Sequence, residues 1–524
     1  MSTSFTIVGG GTAGCIAALF LNKKYPDVDV TLIRSREIGI LGAGEGTTPH
    51  LITMLENDLH ITPYELYKNT SSTMKLGIQF ENWNKAKGSY FHGFGNGAET
   101  VHLQDGAFFE KLSYNNRHFD EFSLANLLTK QKKSPFIDTS SFKLLNSDDI
   151  ERSNINVMKD LGEQTLNYAI HFNAVELASY LEKVAVERGI HLIEDKVVDI
   201  VLDDNDYITE LKLENNNTHK TDFVIDSTGF GRLILGKKYN TEWISRKEYL
   251  PMKEAQPFFL PQDNIDNVEP CTDAIAQDAG WIWKIPLQNR YGCGYVYDSD
   301  YITNEQVKEK ILELYPTAEM GKKTFKFEAG YYNNTVVKNC FGAGLASSFV
   351  EPLEATSIYA FVEQLQFANR NGLFRIFKEK NNIEEFESII KAVSSKVNSY
   401  CRSTNEDVCE FIQFHYITDR DDTPFWREFR SKNKIFDNVK ARVGMLSNGF
   451  ADTNITQQPY ACFDNPSYNV VGGGLGLLKV KEHSDDFDQP RYNFRDIEVS
   501  IDEYVEKHIS QADIIKNNPE WKIY

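Results

Sequence analysis

The chain has 524 residues and sets 56 Lys+Arg against 75 Asp+Glu, a formal charge of −19, with 41% hydrophobic and 25% charged residues. That composition excludes wholesale disorder, and the acidic balance argues against nucleic acid as the main partner, because phosphate binding needs a basic face. No apolar run approaches the ~20 residues of a membrane span, residues 1–11 lack a basic-then-apolar leader, and the seven cysteines are scattered without CxxC spacing, which together predict reduced thiols, no metal framework, no membrane association and a cytoplasmic location.

In chain order, residues 5–8 form a short apolar run that ends in Gly9-Gly10-Gly11-Thr12-Ala13-Gly14. An amphipathic helical stretch over 15–24 follows, and 28–33 reads as a second strand. A strand, glycine turn, helix and strand within about 35 residues is the setting a dinucleotide fingerprint requires. Gly9 permits the tight turn, Gly11 lets the backbone approach a pyrophosphate, and Gly14 lets the helix pack on the strand. The helix start at Thr12 and Ala13 offers free N–H groups and a positive dipole end. The position where an acidic residue should meet a ribose hydroxyl is Arg34, with Glu37 three residues later as a substitute. An arginine there suits the 2′-phosphate of a nicotinamide cofactor, so flavin and nicotinamide both stay open at this point.

Residues 75–170 mix aromatic strand-like pieces with loops. Val175, Leu177, Ala178, Leu181, Val184 and Ala185 fall near a 3.6-residue period and predict a helix over 174–188. Strands follow at 191–193, 197–202, 208–213 and 223–225, with Asn215, Asn216 and Asn217 as a hairpin tip. The pattern turns helical over 354–378 and 383–398, and 400–524 reads as mostly helical with long polar loops. Two features favour flavin: a second glycine-rich loop at 42–49, containing Gly42, Gly44 and Glu45, and Asp226-Ser227-Thr228-Gly229 after the strand at 223–225. The glycines at 470–475 lack a preceding strand, so no second, nicotinamide-type fingerprint is found.

Trp281-Ile282-Trp283-Lys284-Ile285-Pro286 carries a WxWxIP signature. With the N-terminal GxGxxG, the sequence resembles the flavin-dependent tryptophan halogenase-like family. The similarity continues in order through 42–49 (GxGEAT), 75–83 (KxxIxFxNW), 91–95 (YHxFG), 290–297 (RxGxGYVY), 339–358 (NCxxxGLxxxFxEPLESTxI) and 411–426 (FxxxHYxxTxRxDTPFW), and it thins beyond about residue 430. The fold this implies is α/β: a Rossmann-like FAD-binding module of the flavin monooxygenase type over 1–380, with interleaved substrate-side segments, and a mainly helical portion over 381–524 packed on it.

The resemblance implies a reaction in which FADH2 from a separate reductase, O2 and a halide ion give hypohalous acid, which travels inside the protein to an electron-rich, indole- or phenol-like substrate. It makes Lys75 the active-site lysine, either as an ammonium that polarises the oxidant or, once burial lowers its pKa, as an amine that forms a haloamine. Glu354 matches the family's PLES glutamate, as proton acceptor or as a partner of Lys75 in holding the oxidant. Ala355 stands where the family has serine. Trp281 and Trp283 wall the passage, Thr356 and Ser357 match the halide-binding Thr-Gly, His92 and Phe94 match aromatics beside the substrate, and Gly344 and Leu345 match flavin contacts. The family's C-terminal tryptophan-binding pattern is not recognisable, which disfavours free tryptophan. A flavin-dependent aromatic monooxygenase and a non-halogenating flavin-binding homologue remain as alternatives, and a homodimer stays open beside a monomer.

Overall fold

The computed structural model describes residues 3–39, 45–94, 119–136, 166–451, 460, 462–479, 502, 503 and 505–518. Its first sheet has six strands in the spatial order 336–337, Cys340–Gly342, Phe223–Asp226, Ser4–Val8, Asp29–Arg34 and His191–Glu194. All neighbours are parallel except the edge hairpin at 336–341. The central strands are apolar on both faces: Phe5, Ile7, Val30, Leu32, Phe223, Val224 and Ile225 are all buried, as expected for parallel strands covered on both sides.

The helix Thr12–Lys24 follows the first strand as expected, but it is not one-sided. Every residue from Gly14 to Leu21 is buried, because the helix is packed between the sheet and the helix Ala174–Glu187. That second helix does show the predicted stripe, with Leu177, Ala178, Leu181, Val184 and Ala185 buried.

A second sheet of eight strands is mainly antiparallel. At its centre, Cys271–Gln277, Gly280–Pro286 and Arg290–Tyr297 run antiparallel, and Gly77–Glu81 joins Cys271–Gln277 in parallel. Ser89–Gly93 closes that edge. A small sheet of Glu45–Gly46, Ala169–Phe172 and Thr73–Lys75 lies close by; Lys75 ends its last strand and is followed directly by the strand Gly77–Glu81.

The helical regions differ from the sequence reading in two places. The predicted helix over 354–378 starts at Thr356 and breaks at Asn371-Gly372, where Gly372 takes φ +80°. The helix predicted to end at 398 runs unbroken as Phe386–His415, about 45 Å long. Its first half places Ile390, Val397 and Tyr400 in the apolar cluster around the first sheet, and its second half places Val408, Phe411 and Phe414 in the aromatic cluster on the second. The glycines at 472–474 lie inside the helix Asn465–Gly474. A Cβ on Gly474 would stand 2.2 Å from the Tyr90 ring, so the glycine is what lets this helix close on the second sheet. All seven cysteines are free thiols, and no helix among the described residues is long and apolar enough to cross a membrane.

Candidate active site

The first group of predicted residues sits at the carboxyl end of the parallel strands. Gly9 has φ +120°, and a Cβ there would lie 2.2 Å from the Ser227 carbonyl oxygen; one on Gly14 would lie 1.9 Å from the Gly9 oxygen. Both positions therefore require glycine. Gly11, in contrast, faces open space, with no atom within 4 Å of a Cβ built on it. It is also the N-cap of the helix Thr12–Lys24, which has no side-chain cap and no acidic residue in its first turn. An open glycine face against unsatisfied helix N–H groups fits the diphosphate of a bound FAD. Gly344, at φ +57°, begins a turn that abuts Ala13, with 3.1 Å between the Ala13 Cβ and a Cβ built on Gly344, so Gly344-Leu345 adjoins the same helix start.

The acidic and basic residues at this end have distinct partners. Asp226 is fully buried, and its carboxylate accepts hydrogen bonds from Thr228 Oγ1 (2.7 Å) and from the backbone N–H groups of Thr228, Ile234 and Leu235 at 2.9–3.1 Å. It organises the turn after its strand. Arg34 donates to Glu182 at 2.8 Å and lies 3.5 Å from Glu194, so carboxylates already occupy the group a 2′-phosphate would need. Glu37 is exposed just beyond. Glu45 pairs with the strand Ala169–Phe172, and burial raises its carboxyl to about 7. Gly42 and Gly44 lie outside the described residues.

The second group converges between the small sheet and the edge of the large one. Lys75 has no exposed surface. Its Nζ donates to the Thr47 carbonyl at 3.0 Å and stands 5.2 Å from the centre of the Phe94 ring, a cation–π distance. Burial lowers its pKa to about 8, and the negative charge of Glu354 opposes that shift. Thr47 belongs to the glycine-rich segment 42–49, so that segment and the lysine are in contact.

Glu354 is 6% exposed. Its carboxylate accepts from His92 Nδ1 at 3.0 and 3.2 Å. His415 Nε2 lies 2.9 Å away, off the axis of a formed hydrogen bond. Desolvation pushes this carboxyl up, but the two imidazoles outweigh it and hold it at about 2. Burial lowers the His415 pKa below its ordinary value, with Glu354 opposing the shift, and the ring contacts the Tyr90 hydroxyl through Nδ1 at 3.1 Å. The His92 ring stands 5.6 Å from Phe411, which stacks on Phe463. Sequence reasoning assigned no role to His415, Tyr90, Thr47 or Phe463. His415 was in view within the motif at 411–426, but no spacing tied it to a glutamate more than sixty residues upstream.

Trp281 and Trp283, two apart on one strand, share a face. Both are buried, with ring centres 6.2 Å apart. Trp283 lies across Gly294 of the neighbouring strand, where a Cβ would come within 2.0 Å of the ring. Thr356 opens the helix Thr356–Arg370 behind Ala355, which adopts the left-handed conformation at φ +56° and supplies no side-chain cap. The buried Thr356 Oγ1 has no partner among the described residues, and Ser357 is half-buried beside it.

Comparison with known proteins gives the family and the fold. The family profile described as tryptophan halogenase matches residues 4–487. The chain is 29% identical over 495 residues to tryptophan 7-halogenase RebH of Lentzea aerocolonigenes, covering 90% of this chain and 89% of that protein. It is 28% identical over 508 residues to tryptophan 6-halogenase ThaL of Streptomyces albogriseolus, with the same coverage. Among solved structures, tryptophan 6-halogenase SttH from Streptomyces toxytricini superposes with a TM-score of 0.83 at 25% identity, over 98% of this chain and 99% of that one. A match over nearly the whole length, to profile and structures alike, leaves one conclusion: the chain belongs to the tryptophan halogenase family and is a flavin-dependent halogenase, an oxidoreductase.

Proposed function

We propose that this enzyme halogenates an electron-rich aromatic compound, indole- or phenol-like, with hypohalous acid made from a halide ion, O2 and reduced FAD delivered by a separate reductase. Bound reduced FAD supplies the two electrons by which O2 and halide become hypohalous acid and water. The chain's own residues then do three things. The tryptophan strand walls the passage from the cofactor to Lys75, which keeps an indiscriminate oxidant away from solvent. The Lys75 ammonium hydrogen-bonds the oxygen of the hypohalous acid and gives it a proton, so that the oxygen–halogen bond breaks as the carbon–halogen bond forms and the oxygen leaves as water; the proton later lost from the ring restores the ammonium through solvent exchange. Glu354 takes the proton from the halogenated ring. A carboxylate held ionised down to about pH 2 is a weak base, but it suffices for the strongly acidic proton of a ring cation.

His92 and Phe94 border the substrate, and Thr356 and Ser357 offer the halide a helix start with unsatisfied donors. The observation that carries the reading is a fully buried lysine and a buried, ionised glutamate facing an aromatic wall. The test is a panel of aromatic substrates with reduced FAD, O2 and chloride, bromide or iodide in parallel, read by mass spectrometry. Halogenated product is expected; none with any halide overturns the proposal. The charge state of Lys75 is tested by pH. An ammonium donor predicts that turnover declines as pH rises through about 8, whereas a rise through the same range would assign the haloamine route.

A further inference from the structure

We propose that Glu351 is a positioning residue for halogenation: it fixes the tryptophan wall by accepting hydrogen bonds from Trp281 and Tyr416, and so keeps the oxidant inside the protein. The inference rests on the halogenase reading above.

Glu351 is 1% exposed and lies three residues before Glu354. Its Oε2 accepts from the Trp281 indole Nε1 at 2.9 Å and also from the Tyr416 hydroxyl. Its Oε1 is buried and has no partner among the described residues. Two donors on one oxygen and none on the other are the pattern of a neutral carboxylic acid, with Oε2 as the carbonyl. Burial agrees, raising this carboxyl to about 7.

The contact joins three pieces of the reaction end. Trp281 belongs to the strand Gly280–Pro286, Glu351 to the segment leading into Glu354, and Tyr416 directly follows His415 at the end of the helix Phe386–His415. Packing already surrounds Trp281, which shares its cluster with Trp283, Val350, Leu353 and Tyr416. What the carboxyl adds is direction: an indole N–H anchored at one point cannot flip its ring within the wall. Because the Trp281 and Trp283 rings meet at 60°, fixing one constrains the other. A buried acid with one oxygen unpaired is unfavourable for folding, so it is poorly explained as packing alone.

The test measures, for each flavin turnover, the fraction ending in halogenated substrate and the fraction ending as hypohalous acid trapped outside the protein. Glu351→Leu is expected to lower the first fraction roughly fivefold, the scale of one neutral hydrogen bond, with a matching rise in trapped oxidant. Glu351→Gln, which keeps an oxygen acceptor for both donors, restores most of the loss. Trp281→Phe keeps an aromatic ring without the donor and shifts the partition in the same direction as Glu351→Leu; it carries the test, with Tyr416→Phe, if the leucine variant fails to fold. An unchanged partition in these variants, or equal damage from leucine and glutamine, overturns the inference alone. A wild-type enzyme that makes no halogenated product overturns the functional reading and this inference with it.

Discussion

At the proposed cofactor end, the surface offered to a ligand is backbone. Gly9, Gly11 and the uncapped start of the helix Thr12–Lys24 present N–H groups, while the strands beneath bury Phe5, Ile7 and Phe223 with no water contact. At the proposed reaction end, the surface is made of side chains withdrawn from water: Glu354, His92 and His415 held by one another, and Lys75 by the Thr47 carbonyl and the Phe94 ring. The first arrangement adds function to a stable core at little energetic cost, since helix ends carry free donors anyway. The second works against stability, because each buried charge must be offset by its partners. Substitutions at the two ends should therefore separate activity from stability in opposite ways.

The largest effect is expected at the reaction end. Glu354→Gln keeps the shape and much of the bonding to His92 but removes the proton acceptor, and turnover should fall by about 10²–10⁴, measured as halogenated product at saturating halide; a loss below tenfold would take Glu354 out of the proton step. Next comes Gly11→Val at the cofactor end. The protein has room for a side chain there, so the fold should persist by circular dichroism and thermal midpoint. The valine would stand in the space given to the diphosphate, and FAD affinity should drop on the order of 10²-fold. A variant that still binds FAD normally would break the backbone half of the comparison.

The third effect concerns stability. The Lys75 amine has a folded pKa of about 8, below its ordinary 10.5. The unfolded chain thus holds that proton more tightly, and the charge opposes folding at and below pH 8. Stability should rise with pH between about 8 and 10.5 on this account. Lys75→Met removes the penalty. At pH 7 it should stabilise the protein by up to about 3 kcal/mol while abolishing product, and the slope above pH 8 should flatten. A less stable methionine variant would show that the Thr47 and Phe94 contacts outweigh desolvation.

The same contrast decides what the sequence disclosed. Gly9 and Gly14 were legible because a tight turn and a close helix demand one residue type at fixed local spacing. Lys75 and Glu354 entered only through resemblance, since nothing in their own neighbourhoods marks them. The reaction end joins residues 92 and 354, 262 positions apart, and His415 beyond them, and no periodicity encodes such a meeting. The helix Thr12–Lys24 was misread as one-sided because its apolar run is covered by a second helix. The role of Gly474 was not legible because the reason for it, the Tyr90 ring, lies nearly 400 residues upstream.

The smallest predicted effect returns to the cofactor end. Arg34 lies beneath the glycine turn: a Cβ on Gly10 would stand 2.6 Å from the Arg34 Cβ. Its head group is held by Glu182 and Glu194, and its side chain is 16% exposed. If the site there is backbone, Arg34 supports the turn without contacting phosphate, and loosening it should matter little. Glu182→Gln keeps one acceptor and removes one charge, a loss of about 1 kcal/mol or less for a pair this near the surface. FAD affinity, followed by flavin fluorescence quenching, should change by no more than about fivefold. A hundredfold loss would mean that a side-chain ion pair carries the cofactor site, and the two ends would then be built on the same plan: charged side chains locked by their partners, with the glycines merely making room.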